Sequence, residues 1–198
     1  MKWKNRIIRS LNELPRTYST GELAYYTMTN GFELHIRNNL AFSLQSQLIK
    51  KYDVLREWKS VDLSIHRDGE CKCLIELKNQ KSCNLLKKRN PANIKLLQSL
   101  YSQYKTFHKS EIPWYGVIFI SHPRNEIPEK YRNKVRNYLS INKYVREGLS
   151  PRKLRLNIRE MIFLHFSAKK FSVTAKTIDI GTFFETGVDL CWFLISKK

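Results

Sequence analysis

Residues 61–78 read Val61-Asp62-Leu63-Ser64-Ile65-His66-Arg67-Asp68-Gly69-Glu70-Cys71-Lys72-Cys73-Leu74-Ile75-Glu76-Leu77-Lys78. Apolar and polar side chains alternate on both sides of Asp68-Gly69, the pattern of a β-hairpin. In the first strand Val61, Leu63 and Ile65 share one face, and Asp62, Ser64 and His66 the other. In the second, Cys73, Ile75 and Leu77 lie opposite Leu74, Glu76 and Lys78. A register that joins apolar face to apolar face pairs Leu63 with Ile75 and sets Asp62 across from Glu76. A tight two-residue turn at Asp68-Gly69 would instead pair Asp62 with Ile75. The pattern therefore predicts an odd-length loop or a bulge near Gly69.

Directly opposed residues have Cβ atoms roughly 4.5–5.5 Å apart. Two carboxylates at that range repel unless one takes up a proton or a cation sits between them. Such an oxygen pair suits Mg²⁺, which takes one or two carboxylates and completes its shell with water and substrate phosphate. Mn²⁺ is a possible substitute. Lys78 lies two residues past Glu76 and points to the same side. An acidic pair with one ammonium is chemically apt for phosphodiester hydrolysis, where the metal activates water and the ammonium offsets charge on phosphorus. Alternating charges on a strand also describe an ordinary solvated face. What separates the two readings is concentration: Asp53, Glu57, Asp62, Asp68, Glu70 and Glu76 gather in one short region of a strongly basic chain. Of these, Asp53, Glu57, Asp68 and Glu70 read as ordinary surface residues, and His66 reads as a surface residue nearer the turn.

The chain has 198 residues, with 36 Lys+Arg against 17 Asp+Glu and a net charge of +19. With 42% hydrophobic and 12% aromatic residues it can bury a core, which excludes a disordered basic tail. The longest apolar runs, Trp114–Ile120 and Leu190–Ile195, fall far short of the ~18 residues of a membrane span. Arg6, Arg9 and Asn12 interrupt any signal-peptide core, so the expected location is cytoplasmic and no membrane partner is expected. Cys71, Cys73, Cys83 and Cys191 lack the paired spacing of a zinc site and read as reduced thiols. A folded basic domain of this kind meets a polyanion, most often nucleic acid.

Around the hairpin, residues 3–14 place Trp3, Ile7, Leu11 and Leu14 at helical spacing, stopped by Pro15, and a short helix follows over Leu23–Met28. A longer helix is predicted over 31–51 from Ile36, Leu40, Leu44, Leu48 and Ile49. Asn30 and Glu33 have capping-box spacing, and Glu33 also stands four residues before Arg37. A helix over 92–108, a buried strand Tyr115–Ser121, a helix over 128–140 and strands at Met161–Ser167, within 171–180 and at Val188–Ser196 complete the pattern. The expected fold class is α/β, a mixed central sheet flanked by helices. The expected organisation is an N-terminal helical segment, residues 1–30, packed on a compact unit over 31–198.

At Asp62 and Ile75-Glu76-Leu77-Lys78 the chain resembles the PD-(D/E)xK nuclease superfamily, with its restriction-endonuclease-like fold. The resemblance spans roughly residues 31–140 and includes a helix before the hairpin, another after it, a buried strand and a further helix. Val61 stands where the nominal proline would be. The resemblance implies that Asp62 and Glu76 are metal ligands, that Lys78 is the catalytic lysine and that Glu33, in the first helix, joins the site. Gln80 falls where some members carry a supporting polar residue. It further implies a Mg²⁺-dependent DNA endonuclease with no small-molecule cofactor, in a chain of this size most like a type II restriction enzyme acting as a homodimer. A structure-specific nuclease of junctions or repair, and an inactive nucleic-acid-binding module on the same fold, are the alternatives.

Candidate phosphate contacts are Lys87, Lys88 and Arg89 after the hairpin, then Lys130, Arg132, Lys134 and Arg136, then Arg152, Lys153 and Arg155. Such contacts give sequence-independent affinity. The interleaved Tyr131, Tyr138 and Tyr144 are read either as core or as stacking platforms for bases.

Overall fold

The computed structural model describes residues 2–86, 91–107, 111–147 and 151–198; side chains are described for these except at 2, 86, 91–94 and 151–155. Lys87, Lys88 and Arg89 lie outside the described residues, and so do the side chains of Arg152, Lys153 and Arg155.

Three helices open the chain: α1 (Lys2–Glu13), α2 (Glu22–Met28) and α3 (Phe32–Ser46). Then come β1 (Tyr52–Trp58), β2 (Val61–Arg67) and β3 (Glu70–Lys81), followed by α4 (Ser82–Leu86), α5 (Pro91–Phe107) and β4 (Trp114–Pro123). The last elements are α6 (Tyr138–Arg146), α7 (Pro151–Ser167), β5 (Phe171–Phe183) and β6 (Thr186–Lys197). The six strands form one mixed sheet in the order β1-β2-β3-β4-β6-β5. Only β3 and β4 run parallel, joined through α4 and α5; every other pair is antiparallel.

Contacts assign the two faces. Phe32 of α3 meets Phe119 edge-on, so Phe119 and its strand neighbours Leu77 and Asn79 face α3. A Cβ on Gly116 would fall 2.8 Å from Leu100 of α5 and 2.7 Å from Trp114. The opposite face, which carries Gly116 and its β3 partner Glu76, therefore lies under α5. The missing side chain at Gly116 is what lets α5 come this close. α1 joins α3 through a buried Ser43–Ser10 hydrogen bond of 2.9 Å, while α2 rests on β5 through Tyr25 and Phe183. Among the described residues no helix is long and apolar enough to cross a membrane. All four cysteines are free thiols.

The hairpin has the predicted register, Leu63 opposite Ile75, and a bulge between Ile65 and His66. The bulge leaves Lys72 as the extra residue. It also restores the two-residue turn that the pattern argued against, because Arg67 pairs with Glu70 across Asp68-Gly69. Both turn residues have positive φ, 51° and 79°, as a type I′ turn requires.

Four expectations fail. α3 ends at Ser46 rather than 51, and the chain enters β1, an edge strand not foreseen because four of its seven residues are exposed. Its turn to β2 uses positive φ at Lys59 and Ser60 without any glycine, which hid the hairpin. Residues 128–140 are not a helix: a 3₁₀ turn at Glu129–Tyr131 is followed by irregular chain, and α6 begins only after Asn137 at φ 66°. The Arg136 amide donates instead to the Met28 carbonyl, 3.0 Å away. Met161–Ser167 is helical, the last two turns of α7. Ile158, Ile162 and Phe166, spaced by four, are buried, and Leu164 is exposed. His66 is buried rather than on the surface, bonded to Ser64 and set edge-on to Trp58.

In a strand Ile162 and Leu164 would share a face; in this helix they do not. Ile162→Ala should cost about 2–4 kcal/mol of unfolding free energy, and Leu164→Ala under about 0.5 kcal/mol. Denaturant unfolding of the two variants checks this.

Candidate active site

The site lies where two strands part company. β2 pairs with β3 as far as Leu63–Ile75 and then turns back toward β1. β3 runs on through Lys81, paired with β4 alone. The Leu77 amide points into the fork so created and would be left without a strand partner. It donates to Asp62 Oδ2 at 2.8 Å. A buried amide without an acceptor is costly, so this carboxylate closes the sheet where the ladder ends.

Continuing the register past Leu63 sets Asp62 opposite Glu76, on one side of the sheet. Glu76 is only 2% exposed. Its Oε1 accepts a 2.6 Å hydrogen bond from Lys78 Nζ, and its Oε2, also buried, has no hydrogen-bond partner. Burial, the largest effect, and the nearby charge of Asp62 leave the Glu76 pKa raised, against the Lys78 bond and charge and a backbone hydrogen bond from Asp62, which lower it. Lys78 is half-buried. Burial pulls its pKa down, but the bond to Glu76 and the charges of Glu76, Asp62 and Glu33 outweigh this and leave it raised. At neutral pH Lys78 is thus firmly an ammonium.

From the α3 side two more residues reach the fork. Arg37 pairs with Glu57 at 2.8 Å and lies 3.5 Å from Asp62 Oδ1. Glu33 Oε2 accepts from Asn79 Nδ2 at 2.6 Å. Neither local alternative for Glu33 is realised: Gly31 takes the N-cap position of α3 with no side-chain cap bond, the Asn30 side chain accepts from Arg136, and Arg37 is turned to Glu57 and Asp62. Asp62, Glu76 and Lys78 lie together, and the charge of Glu33 reaches Lys78 more weakly from the α3 side.

Gln80 sits apart from them. Its Oε1 accepts from Asn84 at 2.8 Å and from the Lys81 amide at 3.1 Å. It lines a neighbouring cleft together with Glu33, Asn79, Lys81 and Arg136. Lys81 donates to the carbonyls of Met28 and Arg136 at 3.1 and 3.0 Å. Burial brings its pKa down to about 8, with Cys83 pulling upward and Arg136 downward.

The basic residues do not form one helical stripe. Lys130 pairs with Glu185, Arg136 lines the cleft, and Arg132 and Lys134 are exposed on the irregular segment. Tyr144 is buried, which removes it as a platform for bases. Tyr131 donates to Glu185 at 3.0 Å.

Reading the sequence missed Arg37, Asn79 and Asn84. For Arg37 a signal existed, since it lies one helical turn beyond Glu33. Asn79 stands on the opposite face of β3 from Lys78, and only the packing of α3 reveals its partner.

Among the described residues no group of three or more His, Cys, Asp or Glu side chains is gathered to hold a metal ion. The pair Asp62 and Glu76 nonetheless fits a hard divalent cation that keeps several waters. Both are oxygen donors, and Glu76 Oε2 is a buried acceptor with nothing donating to it. No family model, curated protein or solved structure matches this chain.

A buried ion pair answers differently to the loss of each partner. Lys78→Met leaves the Glu76 charge buried without its ammonium and should cost about 2–3 kcal/mol. Glu76→Gln keeps the acceptor for Lys78 and removes the buried charge, so the melting temperature should hold or rise. Thermal unfolding of the two variants at pH 7 tests the asymmetry.

Proposed function

We propose that the protein is a Mg²⁺-dependent DNA endonuclease of the PD-(D/E)xK type, on a restriction-endonuclease-like version of the mixed sheet. The observation that carries this reading is Glu76: a carboxylate kept almost out of water, opposite a second carboxylate and bonded to a lysine, in a chain of net charge +19. Burying a charge weakens a fold unless it is fully paired. Here one oxygen is left without a donor, which is expensive for structure alone and useful for binding a cation.

In this reading Asp62 and Glu76 hold Mg²⁺, with Mn²⁺ as a substitute. The bound ion supplies an activated water and a Lewis acid for the phosphate. Lys78 places an ammonium beside the reacting phosphate, where it offsets growing negative charge and orients the attacking water. Asp62 keeps its position through the Leu77 amide while its other oxygen faces Arg37. Arg37, paired with Glu57 and 3.5 Å from Asp62 Oδ1, balances part of the acidic charge. Glu33 adds the smallest of the charges that raise the Lys78 pKa, after Glu76 and Asp62, and is itself steadied by Asn79. Exposed lysines and arginines hold the backbone of the bound DNA. One site cuts one strand, so cleavage of both strands in the manner of a type II restriction enzyme calls for a homodimer. A cytoplasmic location belongs to the same reading.

The test is cleavage of plasmid and defined duplexes with Mg²⁺, Mn²⁺ or EDTA. Wild-type protein should cut only with metal. Glu76→Ala and Lys78→Ala should each lower the rate by about 10²–10³-fold, the scale of losing one stabilising group. DNA binding in EDTA should persist in both variants and weaken steeply with salt. Discrete fragments favour restriction-type cutting, and cutting of branched DNA alone favours a junction or repair nuclease. Tight, salt-sensitive binding without cleavage in any metal would overturn the enzyme and leave a binding module.

A further inference from the structure

Beside the site, on the α3 side of β3, lies a cleft of about 240 Å³. Tyr26, Asn30, Gln80, Asn84, Arg136 and Asn137 line it. Glu33 and Asn79 form its boundary with the site, so cleft and site share one wall.

The hydrogen-bonding capacity of this lining is only partly used among the described residues. Gln80 Oε1 accepts two bonds, which leaves its Nε2 to donate. Asn84 Nδ2 spends one hydrogen on Gln80, while its Oδ1 faces only the weak thiol donor of Cys83 at 3.8 Å. Asn30 gives its Oδ1 to Arg136 at 2.9 Å and keeps its Nδ2. Side-by-side donors and acceptors match the edge of a nucleobase, which alternates the same two functions. A site built for a bare phosphate would present donors alone. Tyr26, one face of its ring stacked on His35 at 3.6 Å, also lines the cleft, and bases stack on such rings regardless of sequence. Arg136 and Lys81 stand together in the lining, Lys81 donating to the Arg136 carbonyl, and supply cations for the phosphate that a base carries. The volume is below the ~300–1,000 Å³ of pockets for drug-sized ligands and suits one base rather than a base pair.

We propose that this cleft holds a single unstacked base from the nucleotide adjoining the phosphate presented to Asp62 and Glu76. The proposal rests on the nuclease reading for its choice of ligand and refines it: the preferred substrate is DNA with an unpaired nucleotide next to the cut. A base inside a duplex must first be extruded, at a cost of a few kcal/mol, and a base that is already unpaired escapes most of this. Gln80 and Asn84 contact the edge of the base, and Arg136 its phosphate.

The experiment compares two duplexes in EDTA, one with a single bulged 2-aminopurine and one with the same base paired. Wild-type protein should bind the bulged duplex about tenfold more tightly, the lower part of the range expected from stacking one base on a ring. The fluorescence of the bulged 2-aminopurine should change on binding as it enters the cleft. Asn84→Leu, nearly equal in volume, and Arg136→Gln, at an exposed residue, should bring the two affinities together. Equal wild-type affinities, or a preference that survives both substitutions, would overturn the cleft assignment. Parallel assays with Mg²⁺ separate the two readings. Cleavage without a bulge preference refutes the cleft and leaves the nuclease, whereas a bulge preference without cleavage upholds the cleft and refutes the nuclease.

Discussion

The hydrogen bond from the Leu77 amide to Asp62 is the interaction on which the rest of this architecture depends. A sheet can lose one strand from a pair only if the amides and carbonyls released find partners. Here β2 turns away and β3 continues, and a side chain takes the place of a strand at the first released amide. The fork that results is accessible to groups from both sides of the sheet. Glu76 and Lys78 enter from the side under α5, Glu33 and Arg37 from the helix on the other. Acids and bases far apart in the sequence meet there because the sheet is open at that point.

The charges around the fork are arranged in unequal pairs. Asp62 accepts from an amide and faces an arginine. Glu76 leans on Lys78 and, more weakly, on the Asp62 backbone, and its Oε2 keeps no hydrogen-bond partner. Lys78 in turn is held as an ammonium by three carboxylates. Burial works against the charged form of both groups, and at Lys78 the neighbouring carboxylates outweigh it.

The hairpin and its register were legible because alternation over two strands is a strong, local signal. Leu63 can face Ile75 in only one way without exposing the apolar face. The same reasoning placed Asp62, Glu76 and Lys78 on one side. Local signals misled at Met161–Ser167, where a short apolar run has no visible period until Ile158 is counted with Ile162 and Phe166. They also misled after Pro128, where the helix signal of Tyr131, Val135 and Tyr138 lost to backbone bonds with distant groups, among them Met28. The unforeseen β1 shows a further limit: its turn has no glycine, and its exposed residues resemble a loop. For the site, the charged residues on one strand could be read directly. Arg37 and Asn79 could not, because their partners are set by how α3 lies across the sheet.

Gly116 carries a consequence for the site as well as for packing. It lies directly beside Glu76 on the neighbouring strand, and its lack of a side chain lets Leu100 and Trp114 close over that side. Glu76 itself is 2% exposed. Screening by added electrolyte is strong for exposed charges, with a Debye length of about 8 Å at physiological ionic strength, and weak for buried ones. The protein thus has two electrostatic regimes: its exposed basic groups respond to the ionic strength of the medium, while the protonation of Glu76 answers chiefly to its own neighbours.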